Sequence, residues 1–293
     1  MSPFLKKYLH WAGSIVAVTG MVFVVFRLFD YGSQLDISRF NTLMWFVLSG
    51  FALIYGLANI LLALAWRSLL VYFAAPTSRL WAIKIYGLTQ LAKYIPGNIM
   101  HLAGRQAMGQ AAGVDGWSLA KASMWELGLI SITGFFFSLL VLPQFFPVVP
   151  MATMVAFIIT LLIIHIGLRR YVSVFIMRAF GFYVIFLLIS GLIFVGVLVL
   201  LMNENFIGFP QIFILCGAFV IAWLVGLITP GAPAGAGVRE LVLIVLLKGT
   251  VLESDLLLAV MLSRMVTVCG DISYFLLAFF FLNRIPNLYS GER

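Results

Sequence analysis

The chain has 293 residues, 63% of them hydrophobic and 10% charged, with a mean hydropathy of +1.14. That composition excludes an ordinary soluble domain and requires a membrane-integral protein. The net charge of +8 gives no case for nucleic acid, because most lysines and arginines lie at the ends of apolar runs, where the positive-inside rule and anionic headgroups account for them.

In chain order, Lys6 and Lys7 precede an apolar run over about 11–29. No small-x-small cleavage site follows, and the run is long enough to span, so a retained first helix is expected. Further full spans are expected at 43–65, 118–142, 151–168, 180–202 and 256–282. Two other apolar segments are interrupted. One covers 80–112 and breaks at Ile95-Pro96-Gly97-Asn98; the other covers 210–248 and breaks over 229–237. The parts after each break, 99–112 and 238–248, rise about 1.5 Å per residue and fall short of a hydrocarbon core about 30 Å thick. Residues 210–229 are long enough either to cross or to re-enter.

If both broken segments enter and leave on one side, the charges sort by the positive-inside rule. Lys6, Lys7, Arg67, Arg79, Lys121, Arg169, Arg170, Arg178, Arg284 and Arg293 fall inside. Asp30, Asp36, Arg39, Glu204, Lys248, Glu253 and Asp255 fall outside. The expected fold is an all-α integral membrane protein, one transmembrane domain over 1–293. It has about six full helices and two Pro-Gly-broken re-entrant hairpins, with both termini cytoplasmic. Residues 146–293 repeat the order of 1–145 upside down, an inverted repeat of the kind secondary transporters use.

Each break carries chemistry. Pro96 and Gly97 precede Asn98, His101 and Arg105; Pro230 and Gly231 precede Gly237, Arg239 and Glu240. Each arginine lies nine residues after its proline. Proline removes a backbone donor and glycine relaxes the backbone, so the half-helices begin with unpaired N–H groups that suit an anion. Before the first break, Tyr86, Gln90 and Lys93 form a polar stripe at helical spacing. Arg264, Thr267, Asp271 and Tyr274 form another, and Glu126 holds the place in the first half that Arg264 holds in the second. A phosphate near the tips would meet Lys93, Arg105 and Arg239. The buried charges have a second use, in which Glu126 pairs with Arg239 or Arg105 and Glu240 with Arg264.

Cys216 and Cys269 lie in apolar segments as small core residues, and His10, His101 and His165 share no metal-ligand spacing, so no metal or cofactor is expected. Nucleotide-binding and hydrolase signatures are absent, which argues against an enzyme and against an ATP-driven pump.

The motifs Tyr94-Ile95-Pro96-Gly97-Asn98 with Gly104-Arg105, and Pro230-Gly231 with Gly237-Val238-Arg239-Glu240, resemble those of the lysylphosphatidylglycerol synthase transmembrane region family. The resemblance covers nearly the whole chain and implies a stand-alone, flippase-like protein of a bacterial or archaeal cytoplasmic membrane. No aminoacyl-transferring domain follows, so synthesis of the aminoacylated lipid is not expected. Ala232-Pro233-Ala234 departs from the shorter glycine-rich turn of the family, so the resemblance does not fix the path of the second hairpin.

The expected cargo is a lipid with an anionic phosphate headgroup: a phospholipid, an aminoacyl-phospholipid or a polyprenyl-phosphate glycolipid. Lys93, Arg105 and Arg239 would shield the phosphate, while Glu126, Glu240 and Asp271 would respond to protons or to a cationic headgroup part. The alternatives are a small-solute secondary transporter and a non-transporting partner of an envelope lipid-modifying or glycosyltransferase enzyme.

Overall fold

The computed structural model describes residues 26, 41–95, 99–202, 208–229 and 237–280. All regular structure among them is helical. The helices are α1 (Thr42–Tyr72), α2 (Arg79–Gln90), α3 (Met100–Ala111), α4 (Gly116–Phe136), α5 (Pro150–Gly167), α6 (Val174–Leu201), α7 (Phe209–Ile228), α8 (Val238–Leu246) and α9 (Glu253–Phe280). Short 3₁₀ turns extend α2 over Leu91–Tyr94 and α4 over Phe137–Leu140.

Helix starts follow local chemistry. The side chains of Asn41, Ser78 and Asp115 accept from the backbone N–H groups of Met44, Trp81 and Ser118, capping α1, α2 and α4. Pro150 opens α5, where its missing donor is no loss. Gly237, with φ +84, precedes α8 in a conformation that a side chain rarely adopts.

Six helical stretches are long and apolar enough to cross a membrane: Thr42–Tyr72, Gly116–Leu140, Pro150–Val172, Val174–Leu201, Phe209–Ile228 and Ser254–Phe280. This is the make-up of a multi-pass membrane protein. The set differs in membership from the sequence expectation. The run 11–29 lies outside the described residues, and Phe209–Ile228 joins the set because its 20 residues reach about 30 Å. α1 runs beyond the expected boundary at 65, because Arg67 does not end it: the guanidinium Nε donates to the Thr77 carbonyl at 2.7 Å while the helix continues to Tyr72.

By contrast α3, at 12 residues, and α8, at 9, reach only about 18 and 14 Å. Ser118 Oγ at the start of α4 donates to the Phe73 carbonyl at the end of α1, 3.0 Å away. This bond joins the two points between which α2 and α3 lie in sequence. At the far end of α4, Gln144 Nε2 donates to Thr250 Oγ1, just before α9, at 2.5 Å.

The helices pack in a recurring pattern. α1 packs on α2, α2 on α3, α3 on α4 and α1 on α4; likewise α6 packs on α7, α7 on α8, α8 on α9 and α6 on α9. Cross-packing follows the same exchange: α2 meets α9 as α7 meets α4, and α1 meets α9 as α6 meets α4. α1 and α6 pack on each other at the centre.

The α1–α9 contact depends on two glycines. A Cβ on Gly270 would lie 2.6 Å from the Ala52 carbonyl oxygen, and one on Gly56 would lie 2.8 Å from the Gly270 carbonyl oxygen. Both obstacles are backbone, so relief requires the helices to part. Gly270→Ala is expected to destabilise the protein by about 1–3 kcal/mol, the usual range for overpacking. Gly128→Ala, on an open face of α4, should leave the melting temperature unchanged or raised. Thermal unfolding of both variants in one detergent tests this; equal melting temperatures would refute the close-approach argument.

Candidate functional site

Three ion pairs among the described residues organise the interior. The first joins α3 to α4. Arg105 Nη1 meets Glu126 Oε2 at 2.6 Å, and the Tyr86 hydroxyl on α2 donates to Glu126 Oε1 at 2.8 Å. The guanidinium also lies 4.3 Å from the centre of the Tyr86 ring and 5.6 Å from that of Trp66. Trp66 stacks on Trp81 and meets the Tyr86 ring edge-on. Arg105 is thus enclosed by aromatic faces and one carboxylate, which lowers the energetic cost of burying its charge.

The second pair centres on Asp271, in the middle of α9 and wholly inaccessible. Its Oδ1 accepts from Asn59 Nδ2 at 3.2 Å and Gln90 Nε2 at 3.1 Å. Its Oδ2 accepts from the Tyr94 hydroxyl at 2.6 Å and lies 2.7 Å from Lys93 Nζ. Gln90 Nε2 further donates to Asn59 Oδ1 at 2.9 Å. One carboxylate therefore gathers α1, α2 and the turn after α2 onto α9, with its acceptor capacity well used.

The third pair joins α8 to α9, with Arg264 Nε 2.7 Å from Glu240 Oε1. It is more accessible than the first: its side chains are 9% and 24% exposed, against 2% and 6% for Arg105 and Glu126. Arg239, next to Glu240, points elsewhere. Its guanidinium lies 5.8 Å from the Trp223 ring centre, and it has no ion-pair or hydrogen-bond partner among the described residues.

These groups surround a partly open cavity of about 90 Å³ at the meeting of α1, α2, α3, α4, α6, α7, α8 and α9. Lys93, His101, Glu126, Arg239 and Arg264 line it, as do Tyr86 and Gln90 of the polar stripe. A small recess of about 10 Å³ shares Trp223, Arg239, Arg264 and Thr267 with it. His101 Nδ1 and Arg239 Nε are buried atoms without a hydrogen-bond partner. The cavity is a cation-rich pocket with aromatic walls, suited to an anion.

The structure brings most of the expected residues together, in two tiers. Lys93, His101, Glu126, Arg239 and Arg264 face the cavity. Arg105, Asp271 and Glu240 stand behind them, holding Glu126, Lys93 and Arg264. Of the two partners open to Glu126 in the sequence, Arg105 holds it. Pro96, Gly97, Asn98, Pro230 and Gly231 lie outside the described residues; Gly237 serves as the entry to α8. Sequence reasoning missed Asn59, Tyr55 and Trp223. Asn59 alone left a signal, as a carboxamide within the apolar α1.

Comparison with protein-family models, with curated proteins and with solved structures found no match to this chain.

The first pair yields a stability prediction. Glu126→Leu leaves Arg105 buried without its counter-charge, and Arg105→Leu does the converse, each expected to remove about 3–5 kcal/mol. The double variant should melt closer to the wild type than the sum of the two losses implies, because no lone charge remains. Thermal unfolding of the four proteins measures the coupling, and additive losses would count against a direct pair.

Proposed function

We propose that this protein is a flippase-like translocase that moves a phosphate-headgroup lipid across the cytoplasmic membrane, with the headgroup in the central cavity and the acyl chains in the bilayer. The observation that carries the reading is Arg239: a half-buried guanidinium with no hydrogen-bond or ion-pair partner among the described residues, on a cavity also lined by Lys93 and Arg264. Such a group in an apolar protein needs an anion, and a phosphate supplies the charge and the acceptor oxygens together.

The architecture is read as an inverted repeat, α1–α4 against α6–α9, with α2–α3 and α7–α8 as re-entrant hairpins and both termini cytoplasmic. Support comes from the packing pattern that recurs under this exchange, and from the shortness of α3 and α8. The Ser118–Phe73 and Gln144–Thr250 hydrogen bonds also fit, since each ties together loops expected on one side of the membrane. Transport between two such halves follows the general logic of broken-helix transporters. The two motifs that resemble the lysylphosphatidylglycerol synthase transmembrane region favour a lipid as cargo.

A second reading, transport of a small soluble anion, draws on the modest cavity volume of about 90 Å³.

In proteoliposomes carrying a headgroup-labelled anionic phospholipid, the wild type should accelerate exchange between leaflets. Arg239→Ala should slow it roughly tenfold, the loss expected for one charge-assisted contact. Unchanged exchange in a folded Arg239→Ala protein would remove Arg239 from the mechanism. No exchange by the wild type, together with uptake of a soluble phosphate ester, would favour the second reading.

A further inference from the structure

The charge inventory of the cavity narrows the cargo, on the reading that an anionic headgroup binds there. Among the described residues, four cations line or back the cavity: Lys93, Arg105, Arg239 and Arg264. Three carboxylates answer them: Asp271, Glu126 and Glu240. With His101 counted as the neutral imidazole, one positive charge is left over among the described residues, on Arg239. The segments 96–98 and 230–236 add nothing to this balance, since Pro, Gly, Asn and Ala have no ionisable side chain.

We infer that the cavity selects a singly charged phosphodiester, held at Arg239, over a doubly charged phosphomonoester and over a headgroup bearing an amine. A phosphodiester brings one negative charge and cancels the surplus. A phosphomonoester carries about −1.5 to −2 at neutral pH and would overshoot, leaving an uncompensated anion in an apolar protein. Amine-bearing headgroups meet a different obstacle. Glu126 is the carboxylate that lines the cavity, and its two oxygens already receive Arg105 and Tyr86. Asp271 is occupied by four donors. Glu240 gives Oε1 to Arg264; its Oε2 is buried without a hydrogen-bond partner, but Glu240 is not among the residues that line the cavity. An ammonium entering the cavity therefore meets no unpaired carboxylate on its lining, while Lys93, Arg239 and Arg264 there repel it.

Arg239 is built for the role. The Trp223 ring centre lies 5.8 Å from its guanidinium carbon, and the buried Nε lacks an acceptor. A fork of donors with a free edge fits two phosphate oxygens at once. The selection runs against an aminoacylated phospholipid, one of the cargoes the family resemblance implies, and toward an anionic phosphodiester lipid whose remaining headgroup is uncharged.

The test uses the full-length protein in nanodiscs with equal amounts of phosphatidylglycerol, phosphatidic acid and phosphatidylethanolamine of identical acyl chains. Lipids retained on the protein are measured by native mass spectrometry, for the wild type, Arg239→Gln and Arg239→Lys. The expected result is roughly tenfold enrichment of phosphatidylglycerol over each of the others. The enrichment should be lost in Arg239→Gln and kept in part in Arg239→Lys, which retains the charge; the wild-type panel stands even if a variant fails to fold. Equal or greater retention of phosphatidic acid or phosphatidylethanolamine, still dependent on Arg239, overturns the phosphodiester selection and leaves an anionic-lipid site standing. No retention above the bulk ratio, or retention indifferent to Arg239, overturns both. Soluble glycerophosphoglycerol is added as a competitor. Displacement of phosphatidylglycerol only at large excess supports a lipid source. Displacement at equal concentration keeps the phosphodiester site but assigns it to a free solute.

Discussion

The structure depends on one constraint: charge inside an apolar protein must be met by opposite charge, because the surrounding hydrocarbon offers none. Each of the two short helices carries a charged residue and is too short to cross, so neither can leave that charge to water by passing through. Each is instead pinned by an ion pair to the span that follows it, Arg105 of α3 to Glu126 of α4 and Glu240 of α8 to Arg264 of α9. The signs are exchanged between the two. In one the cation rides on the short helix; in the other it sits on the span. The same mechanical job is done with the polarity reversed, and Arg239, one residue before Glu240, faces the cavity.

Close packing supports this arrangement. The ion pairs work only if the spans that carry them approach at fixed distance, and Gly56 and Gly270 set that distance where α1 meets α9. Asp271 lies one residue after Gly270, so the backbone contact and the four-donor carboxylate share one level of the bundle. A larger residue at the crossing would shift Asp271 relative to Asn59 and Gln90, and hydrogen bonds of 3.1–3.2 Å have little length to give.

Much of this was legible in the sequence, for physical reasons that differ by residue. Apolar runs in lipid must be helices, so the spans from Thr42 to Phe280 follow from hydropathy except Phe209–Ile228, which the sequence left open between crossing and re-entry, and except at ends where a charged residue such as Arg67 folds back onto the loop. Tyr86, Gln90 and Lys93 could be grouped because helical spacing puts them on one face, and all three line the cavity. Partner choice was another matter. Glu126 had two candidate arginines, and only the three-dimensional path of α3 decides for Arg105. The backing role of Arg105 was equally hidden: its place early in a half-helix suits an anion, while its surroundings of Trp66, Tyr86 and Glu126 come from α1, α2 and α4. Trp223 gave no signal, since a tryptophan in an apolar helix reads as packing until Arg239 is seen above it.

Of the three pairs, Lys93 with Asp271 differs in kind. The other two join neighbours in sequence, a short helix and the next span, and would travel with those elements as units. Lys93 follows α2 and Asp271 belongs to α9, so their contact bridges the two groups of helices that repeat each other's packing. Any sliding of one group against the other stretches this pair, together with the Tyr94, Gln90 and Asn59 hydrogen bonds to the same carboxylate. Lys93 is also 20% exposed and lines the cavity, whereas Asp271 is sealed. On the proposed reading, an anion at Arg239 would enter beside the exposed partner of the one ion pair, among the described residues, that spans both groups. It would compete with Asp271 for the ammonium from the cavity side. Occupancy of the cavity and the hold between the two groups of helices would then be linked through a single lysine.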